Sequence, residues 1–215
     1  MSLALVQARL RSALLAAGRP ADAVTLVAVS KEQPPERVGP VLAQGQRAFG
    51  ENRVGEAQGR WAGVAGVELH LVGPLQTNKA RAAVELFDVV HSVDRPRLVD
   101  ALDRLAGERG ASPDLLLQVN TGGEPQKAGC APSEARALLA RARNLPVRGL
   151  MCVPPVDEDP APHFRLLRSL GEDLGLPWLS MGMSGDLEAA VAEGATHVRV
   201  GAAIFGARPL RASQA

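Results

Sequence analysis

The chain has 215 residues, a formal net charge of +1, 46% hydrophobic residues and 22% charged residues. This length and composition suit one folded domain, which we expect to span residues 1–215. The balanced charge provides no basic field for nucleic acid. Arg9 and Arg11 interrupt the apolar N-terminal stretch, and no later run is long enough to cross a bilayer. We therefore expect a cytoplasmic protein that binds neither nucleic acid nor membrane.

Two cysteines, Cys130 and Cys152, are present. Two thiols in a chain of this length do not form a disulfide framework, and their separation fits no metal-ligand spacing. They are predicted to be reduced and buried.

The chain begins with an amphipathic pattern and then alternates between two kinds of segment. A helix is predicted over Leu3–Ala17, where apolar residues recur at helical spacing before Gly18. The predicted strands are Val24–Ser30, Arg47–Gly50, Val67–Gly73, Val89–Val93, Asp114–Asn120, Val147–Val153, Trp178–Met183 and His197–Gly201. Between them, helices are predicted near 34–45, 53–62, 78–87, 95–109, 132–144, 160–173 and 185–193.

Several predicted strands are nearly continuous apolar runs, which is typical of strands buried on both faces of a parallel sheet. Eight such strands alternating with helices predict the α/β class and a closed (β/α)8 TIM barrel rather than an open doubly wound sheet. The residues after Gly206 are too few for a long eighth helix. We hypothesise that the N-terminal helix fills that gap in the outer ring.

The functional face of such a barrel is the C-terminal end of its strands. Lys31 follows the first strand directly. An apolar surrounding favours a neutral amine, which can attack an aldehyde and form a Schiff base. The alternative is a lysine whose ammonium group reaches solvent at the end of the strand.

Strands seven and eight of such barrels frequently build a phosphate site together. Strand seven runs into a helix through Met181–Asp186, where Ser184 and the backbone N–H groups would favour an anion. A plain N-cap role for the serine is the alternative. Strand eight contributes Gly201 and Ala202, which offer further backbone N–H groups.

Arg199 lies among apolar residues of strand eight, where its guanidinium needs an acceptor from a carboxylate or a ligand. A lysine amine, a phosphate cradle and a buried arginine together indicate a site for pyridoxal 5'-phosphate (PLP). A permanent cation beside the pyridine nitrogen disfavours its protonation and weakens PLP as an electron sink.

Several motifs, in order along almost the whole chain, resemble those of the PLP homeostasis protein family, which is related to the alanine racemase N-terminal domain. The resemblance runs from about Val24 to Arg208. It is carried by Leu26–Lys31 (LVAVSK), Phe49–Arg53 (FGENR), His70–Lys79 (HLVGPLQTNK), Val119–Gly129 (VNTGGEPQKAG), Arg148–Met151 (RGLM), Leu179–Asp186 (LSMGMSGD) and Val198–Arg208 (VRVGAAIFGAR).

The resemblance implies a PLP fold-type III barrel in which Lys31 holds PLP as an internal aldimine. Arg199 would face the pyridine nitrogen, and Ser184 would hold the phosphate. The other cofactor-binding residues that the resemblance implies are Gly201 and Ala202 at the phosphate, Asn52 and Met181 or Met183 at the ring, and His70 and Asn78 around the pocket.

The implied function is intracellular PLP (vitamin B6) homeostasis with little or no catalysis. PLP-dependent apoenzymes would be the acceptors, and we expect a monomer. This sequence has alanine at position 202 where the family pattern has a hydroxyl residue. One hydrogen bond to the phosphate is therefore expected to be absent.

Two enzymatic functions are alternatives on the same fold. An amino-acid racemase needs a second acid or base opposite the lysine, which is a tyrosine in the related alanine racemases, and this chain contains no tyrosine. A sugar-phosphate aldolase would use Lys31 directly, without PLP. A purely structural barrel is disfavoured, because burying Lys31 and Arg199 has no benefit without a ligand.

Overall fold

A computed structural model describes residues 2–207, which form a closed barrel of parallel strands. The strands are β1 Thr25–Val29, β2 Ala48–Glu51, β3 Glu68–Leu71, β4 Val89–Val93, β5 Asp114–Val119, β6 Val147–Cys152, β7 Trp178–Ser180 and β8 His197–Val200. They pair in chain order, and β8 closes the barrel against β1. The predicted (β/α)8 barrel is confirmed; seven predicted strands contain the observed ones, and β2 ends one residue beyond its prediction, at Glu51.

The described helices surround the strands. They are α1 Leu3–Ala16, α2 Pro35–Ala43, α3 Val54–Trp61, α4 Ala80–Leu86, α5 Pro96–Arg109, α6 Ala135–Arg141, α7 Pro160–Leu174, α8 Leu187–Ala192 and α9 Ala202–Phe205. Short 3-10 turns at Thr77–Lys79 and Pro132–Glu134 lead into α4 and α6. Helix α9 was not predicted from the sequence. The last residue of the final motif, Arg208, lies outside the described residues.

The N-terminal helix α1 packs against α8 and α9, in the part of the outer ring that follows β8. The predicted position of this helix is thereby confirmed. Arg9 of α1 pairs with Glu188 of α8 at 2.8 Å. Arg19, just after α1, donates to the carbonyl oxygens of Val191 and Ala195, both at 2.8 Å. These polar contacts attach α1 to the helix that follows the seventh strand.

The main hydrophobic core lies between the strands and the helices, and a smaller apolar cluster lies in the barrel interior. Val89, Leu116 and Met151 form this inner cluster, with Trp178 packed against it. Interiors of such barrels are usually filled with branched aliphatic residues. Here buried polar side chains occupy much of that space, namely His70, His91, Ser180, His197 and Arg199.

Both thiols are buried and free, as predicted. Burial raises the pKa of the Cys130 thiol to about 11 and that of the Cys152 thiol to about 12. Thiolate, the reactive form, is therefore scarce at neutral pH. We expect a disulfide reagent at pH 8 to label neither cysteine in the folded protein and both after denaturation. Rapid labelling of the folded protein would contradict the burial and the raised pKa values of the two thiols.

Within residues 2–207, none of the helices combines the length and the apolar character that crossing a membrane requires.

Candidate functional site

A cavity of about 600 Å³ opens at the C-terminal end of the strands, where the barrel fold places functional sites. Its volume lies in the usual range for small-molecule sites. The lining residues come from loops and strand ends around the barrel: Val29, Lys31, Gln33, Asn52, Val72, Gly73, Pro74, Gln118, Lys127, Ala128, Met151, Val153, Met183, Ser184, Gly185, Arg199, Gly201, Ala202 and Gly206.

Lys31 is positioned by a buried hydrogen-bond cluster beneath it. The preceding residue, Ser30, donates its hydroxyl to Glu51 Oε1 at 2.8 Å, which ties the end of β1 to the end of β2. The Trp61 indole donates to the same oxygen at 3.1 Å. Burial raises the pKa of the Glu51 carboxyl, although these donors and Arg60 oppose the shift. The cluster therefore fixes the backbone from which Lys31 extends into the cavity wall.

The backbone turns sharply immediately after Lys31. Glu32 has φ 57°, in the left-handed region that non-glycine residues seldom occupy. Such conformations cluster at functional sites, where the surrounding structure maintains them.

Arg199 lines the cavity and is 5% exposed. Its Nη1 donates to Ser180 Oγ at 2.6 Å, and its Nη2 donates to the carbonyl oxygen of Cys152 at 2.8 Å. Both acceptors are neutral, and within the described part of the chain no carboxylate pairs with this guanidinium. Burial lowers the pKa of Arg199. A buried cation without a counter-charge, bordering a cavity, favours a ligand that carries negative charge or a lone pair.

Two small segments form a further part of the wall. Ser184 and Gly185 line the cavity from the loop between β7 and α8, and Arg9 donates to the Ser184 carbonyl at 3.1 Å. Gly201 is the N-cap of α9, and Ala202 is its first residue. The first N–H groups of a helix have no partner within the helix. Backbone donors from both segments therefore border the same cavity.

The alternative role of Ser184, as the N-cap of the helix after β7, is wrong. The N-cap of α8 is Asp186, whose Oδ1 accepts a hydrogen bond from the Met183 N–H at 2.5 Å. The Ser184 side chain is therefore not the cap of this helix.

The structure brings most of the predicted site residues together. Met181 is fully buried in the main core, and Met183 lines the cavity instead. His70 is fully buried in the barrel interior and contacts His91, below the cavity. Asn78 is exposed on the turn before α4 and is not part of the lining. The predicted residues that line the cavity are Lys31, Asn52, Ser184, Arg199, Gly201 and Ala202.

Some lining residues were not among the predicted site residues. Gln118 of β5 lines the cavity and donates to the Ala128 carbonyl at 3.0 Å. Lys127 lies beside it, with Nζ 2.6 Å from Glu124 Oε2 and 3.2 Å from the Pro154 carbonyl oxygen. A polar residue within the apolar run of β5 was the available signal for Gln118. The loop that brings Lys127 over the barrel gives no comparable signal.

Among residues 2–207, no three His, Cys, Asp or Glu side chains are arranged to hold a metal ion.

Comparison with known families gives a match over almost the whole chain. The model of the family described as "Alanine racemase, N-terminal domain" matches residues 5–209. Alanine racemase of Clostridium difficile has a similar structure, with TM-score 0.73, 13% identity and coverage of 94% of this chain and 57% of that chain. At this identity the likeness shows the fold alone.

Closer relatives share much more sequence. The pyridoxal phosphate homeostasis protein of Pseudomonas aeruginosa is 48% identical over 220 residues, which cover 96% of this chain and 94% of the relative. That of Deinococcus radiodurans is 43% identical, with 95% and 100% covered. PipY of Synechococcus elongatus, solved with PLP bound, has TM-score 0.80 and 43% identity, with 91% and 98% covered. The chain belongs to the pyridoxal phosphate homeostasis protein family.

Proposed function

We propose that this protein binds PLP reversibly through Lys31 and serves intracellular PLP homeostasis. The observation that carries the proposal is one cavity of about 600 Å³ whose wall contains Lys31, Ser184 and Arg199. PipY, which is 43% identical, was solved with PLP bound, and the curated relatives are PLP homeostasis proteins.

The residues present fit the cofactor. PLP supplies an aldehyde that bonds reversibly to an amine and a pyridine ring that withdraws electrons when its nitrogen is protonated. Lys31 would take the aldehyde, and Asn52 would border the ring. Ser184 and the backbone N–H groups of Gly201 and Ala202 would hold the phosphate. The guanidinium of Arg199, which no carboxylate contacts within the described residues, adds the positive field that an anionic cofactor requires.

Arg199 also limits the chemistry of the site. A guanidinium only donates hydrogen bonds, so it would interact with a ring nitrogen as an acceptor and would disfavour its protonation. The chain contains no tyrosine, and no histidine or cysteine lies in the described cavity lining. The lining therefore offers no tyrosine, histidine or cysteine as the second base of a racemase, and its second lysine, Lys127, is paired with Glu124. We propose a carrier with little or no catalysis.

The remaining parts of the proposal concern the setting of this carrier. PLP-dependent apoenzymes would accept the cofactor, because the bond to Lys31 exchanges with other amines. We place the protein in the cytoplasm as a monomer, with one domain over residues 1–215. His70, Met181 and Asn78 would support the site from outside the cavity.

Titration of the purified full chain with PLP tests the function. We expect a saturable near-ultraviolet or visible absorbance band at one PLP per chain, and borohydride should then fix the cofactor to the protein. A protein that gains no band would contradict the proposal. An aldolase would instead be trapped by borohydride with a keto-sugar phosphate in the absence of PLP.

A further inference from the structure

A continuous line of buried polar contacts runs from the cavity into the barrel. Arg199 Nη1 lies 2.6 Å from Ser180 Oγ. The same hydroxyl lies 2.8 Å from His91 Nδ1. His91 Nε2 lies 2.9 Å from His70 Nδ1, and His70 Nε2 lies 3.2 Å from Glu68 Oε1. We call these five residues the polar chain.

The polar chain crosses the barrel interior. His91 is on β4 and Ser180 is on β7, and these strands are not neighbours in the sheet, so their contact passes through the middle of the barrel. Arg199 lines the cavity beyond the strand ends. Glu68 is the first residue of β3, and its side chain is 49% exposed. The chain therefore joins the cavity to solvent at the opposite end of the barrel.

The donors and acceptors of the polar chain can all point in one direction, from Arg199 towards Glu68. A guanidinium only donates, so the Ser180 hydroxyl accepts from Arg199 and can donate its own proton to His91 Nδ1. His91 then carries its proton on Nε2 and donates to His70 Nδ1. His70 in turn carries its proton on Nε2, which faces the carboxylate of Glu68. In this arrangement each ring carries its proton on Nε2.

The surroundings favour uncharged rings. His91 is enclosed by His70 of β3, Ser180 of β7, and His197 and Arg199 of β8. Burial first, and then the charges of its neighbours, lower the pKa of His91 well below its ordinary value. Burial also lowers the pKa of His197 to about 4. The rings of His91 and His197 are therefore neutral at pH 7.

We propose that Ser180, His91 and His70 are positioning residues for Arg199, and that their hydrogen bonds, together with the close approach of His70 Nε2 to Glu68, couple the guanidinium to that carboxylate. This inference rests on the proposed function, because Arg199 acts on the cofactor only if PLP occupies the cavity. The polar chain holds one edge of the guanidinium away from the cavity and leaves its other donors for the ligand. A substitution at Glu68 is therefore expected to change the affinity of the cavity for PLP.

Histidine tautomers in the cofactor-free protein test the polar chain directly. We expect long-range ¹H–¹⁵N correlation spectra of the full chain at pH 7 to show the ring proton of both His70 and His91 on Nε2. A ring protonated at Nδ1, or a doubly protonated His91, would overturn the proposed direction. This measurement does not depend on PLP binding.

Ser180→Ala removes the link next to Arg199. We expect PLP affinity to fall about tenfold, since one hydrogen bond to a charged group loses its acceptor. The absorbance band of the bound cofactor should also change its pH dependence. Unchanged affinity and an unchanged pH profile would overturn the positioning role.

Ser180 is fully buried, so a distant variant keeps the inference testable if Ser180→Ala fails to fold. Glu68→Lys places a donor opposite His70 Nε2, which should shift His70 and His91 towards the Nδ1–H tautomer and weaken PLP binding several-fold. Glu85→Lys, with the same charge change on the exposed face of α4, should alter neither. Wild-type tautomers in Glu68→Lys, or shifted tautomers with unchanged PLP affinity, would overturn the coupling.

The two proposals fail in different ways. If the unsubstituted protein takes up no PLP, the proposed function is wrong and the coupling to a cofactor is wrong with it. If PLP binds but the two rings do not carry their protons on Nε2, only the further inference is wrong.

Discussion

Lys31→Ala is expected to abolish covalent attachment of PLP. The chain contains three lysines, at positions 31, 79 and 127, so the site of attachment can be assigned unambiguously. Lys31 lines the cavity from the end of β1, on a backbone that the Ser30–Glu51 hydrogen bond fixes. After incubation with PLP and reduction by borohydride, the unsubstituted protein should gain the mass of one reduced cofactor on the peptide that contains Lys31. The variant should gain none.

Lys79→Ala is the matched control for this experiment. Lys79 is exposed on the turn before α4 and lies outside the cavity, so its loss should leave the mass gain and the absorbance band unchanged. A cofactor mass on the Lys127 peptide of the Lys31→Ala variant would mean that the second lysine of the cavity substitutes for the first. Attachment at Lys127 in the unsubstituted protein would contradict the assignment of Lys31.

The barrel was predictable because its determinants are local and repeated. Runs such as Val24–Ser30 and Asp114–Asn120 are apolar at consecutive positions, and their short length and repeated alternation with helical segments favour buried parallel strands. The position of Lys31 at the end of such a run then follows from chain order alone. The wall formed by Ser184, Gly201 and Ala202 was predictable for the same reason, since strands seven and eight are neighbours in the barrel.

Whether a side chain is buried in the core or borders the cavity was not predictable in this way. Met181 and Met183 lie two positions apart beyond β7, and only the path of the loop decides that Met181 enters the main core and Met183 borders the cavity. His70 appears in a motif that borders the site, yet its side chain is fully buried in the barrel interior. Its contact with His91 joins residues 21 positions apart, and the contact of His91 with Ser180 spans 89 positions. Such pairings depend on closure of the barrel.

Gly73→Ala is expected to lower both stability and PLP affinity. Gly73 lines the cavity where the end of β3 meets the end of β2. A Cβ at this position would lie 2.3 Å from the carbonyl oxygen of Asn52 and 2.7 Å from its Cα. Since the obstacle is backbone, the two segments would have to separate. We expect the free energy of unfolding to fall by about 1–3 kcal/mol, the usual cost of overpacking. PLP should bind more weakly because Asn52 moves with the wall.

Gly107→Ala provides the control, because it makes the same substitution where space is open. Gly107 is exposed within α5, and nothing lies within 4 Å of a Cβ built there. Alanine at an exposed helical position should raise the free energy of unfolding by about 0.5–1 kcal/mol and leave PLP binding unchanged. Denaturant unfolding and PLP titration of both variants measure the contrast. Equal stability of the two variants would mean that the strand ends at Asn52 and Gly73 are not in backbone contact, and the wall of the cavity would then have to be redrawn.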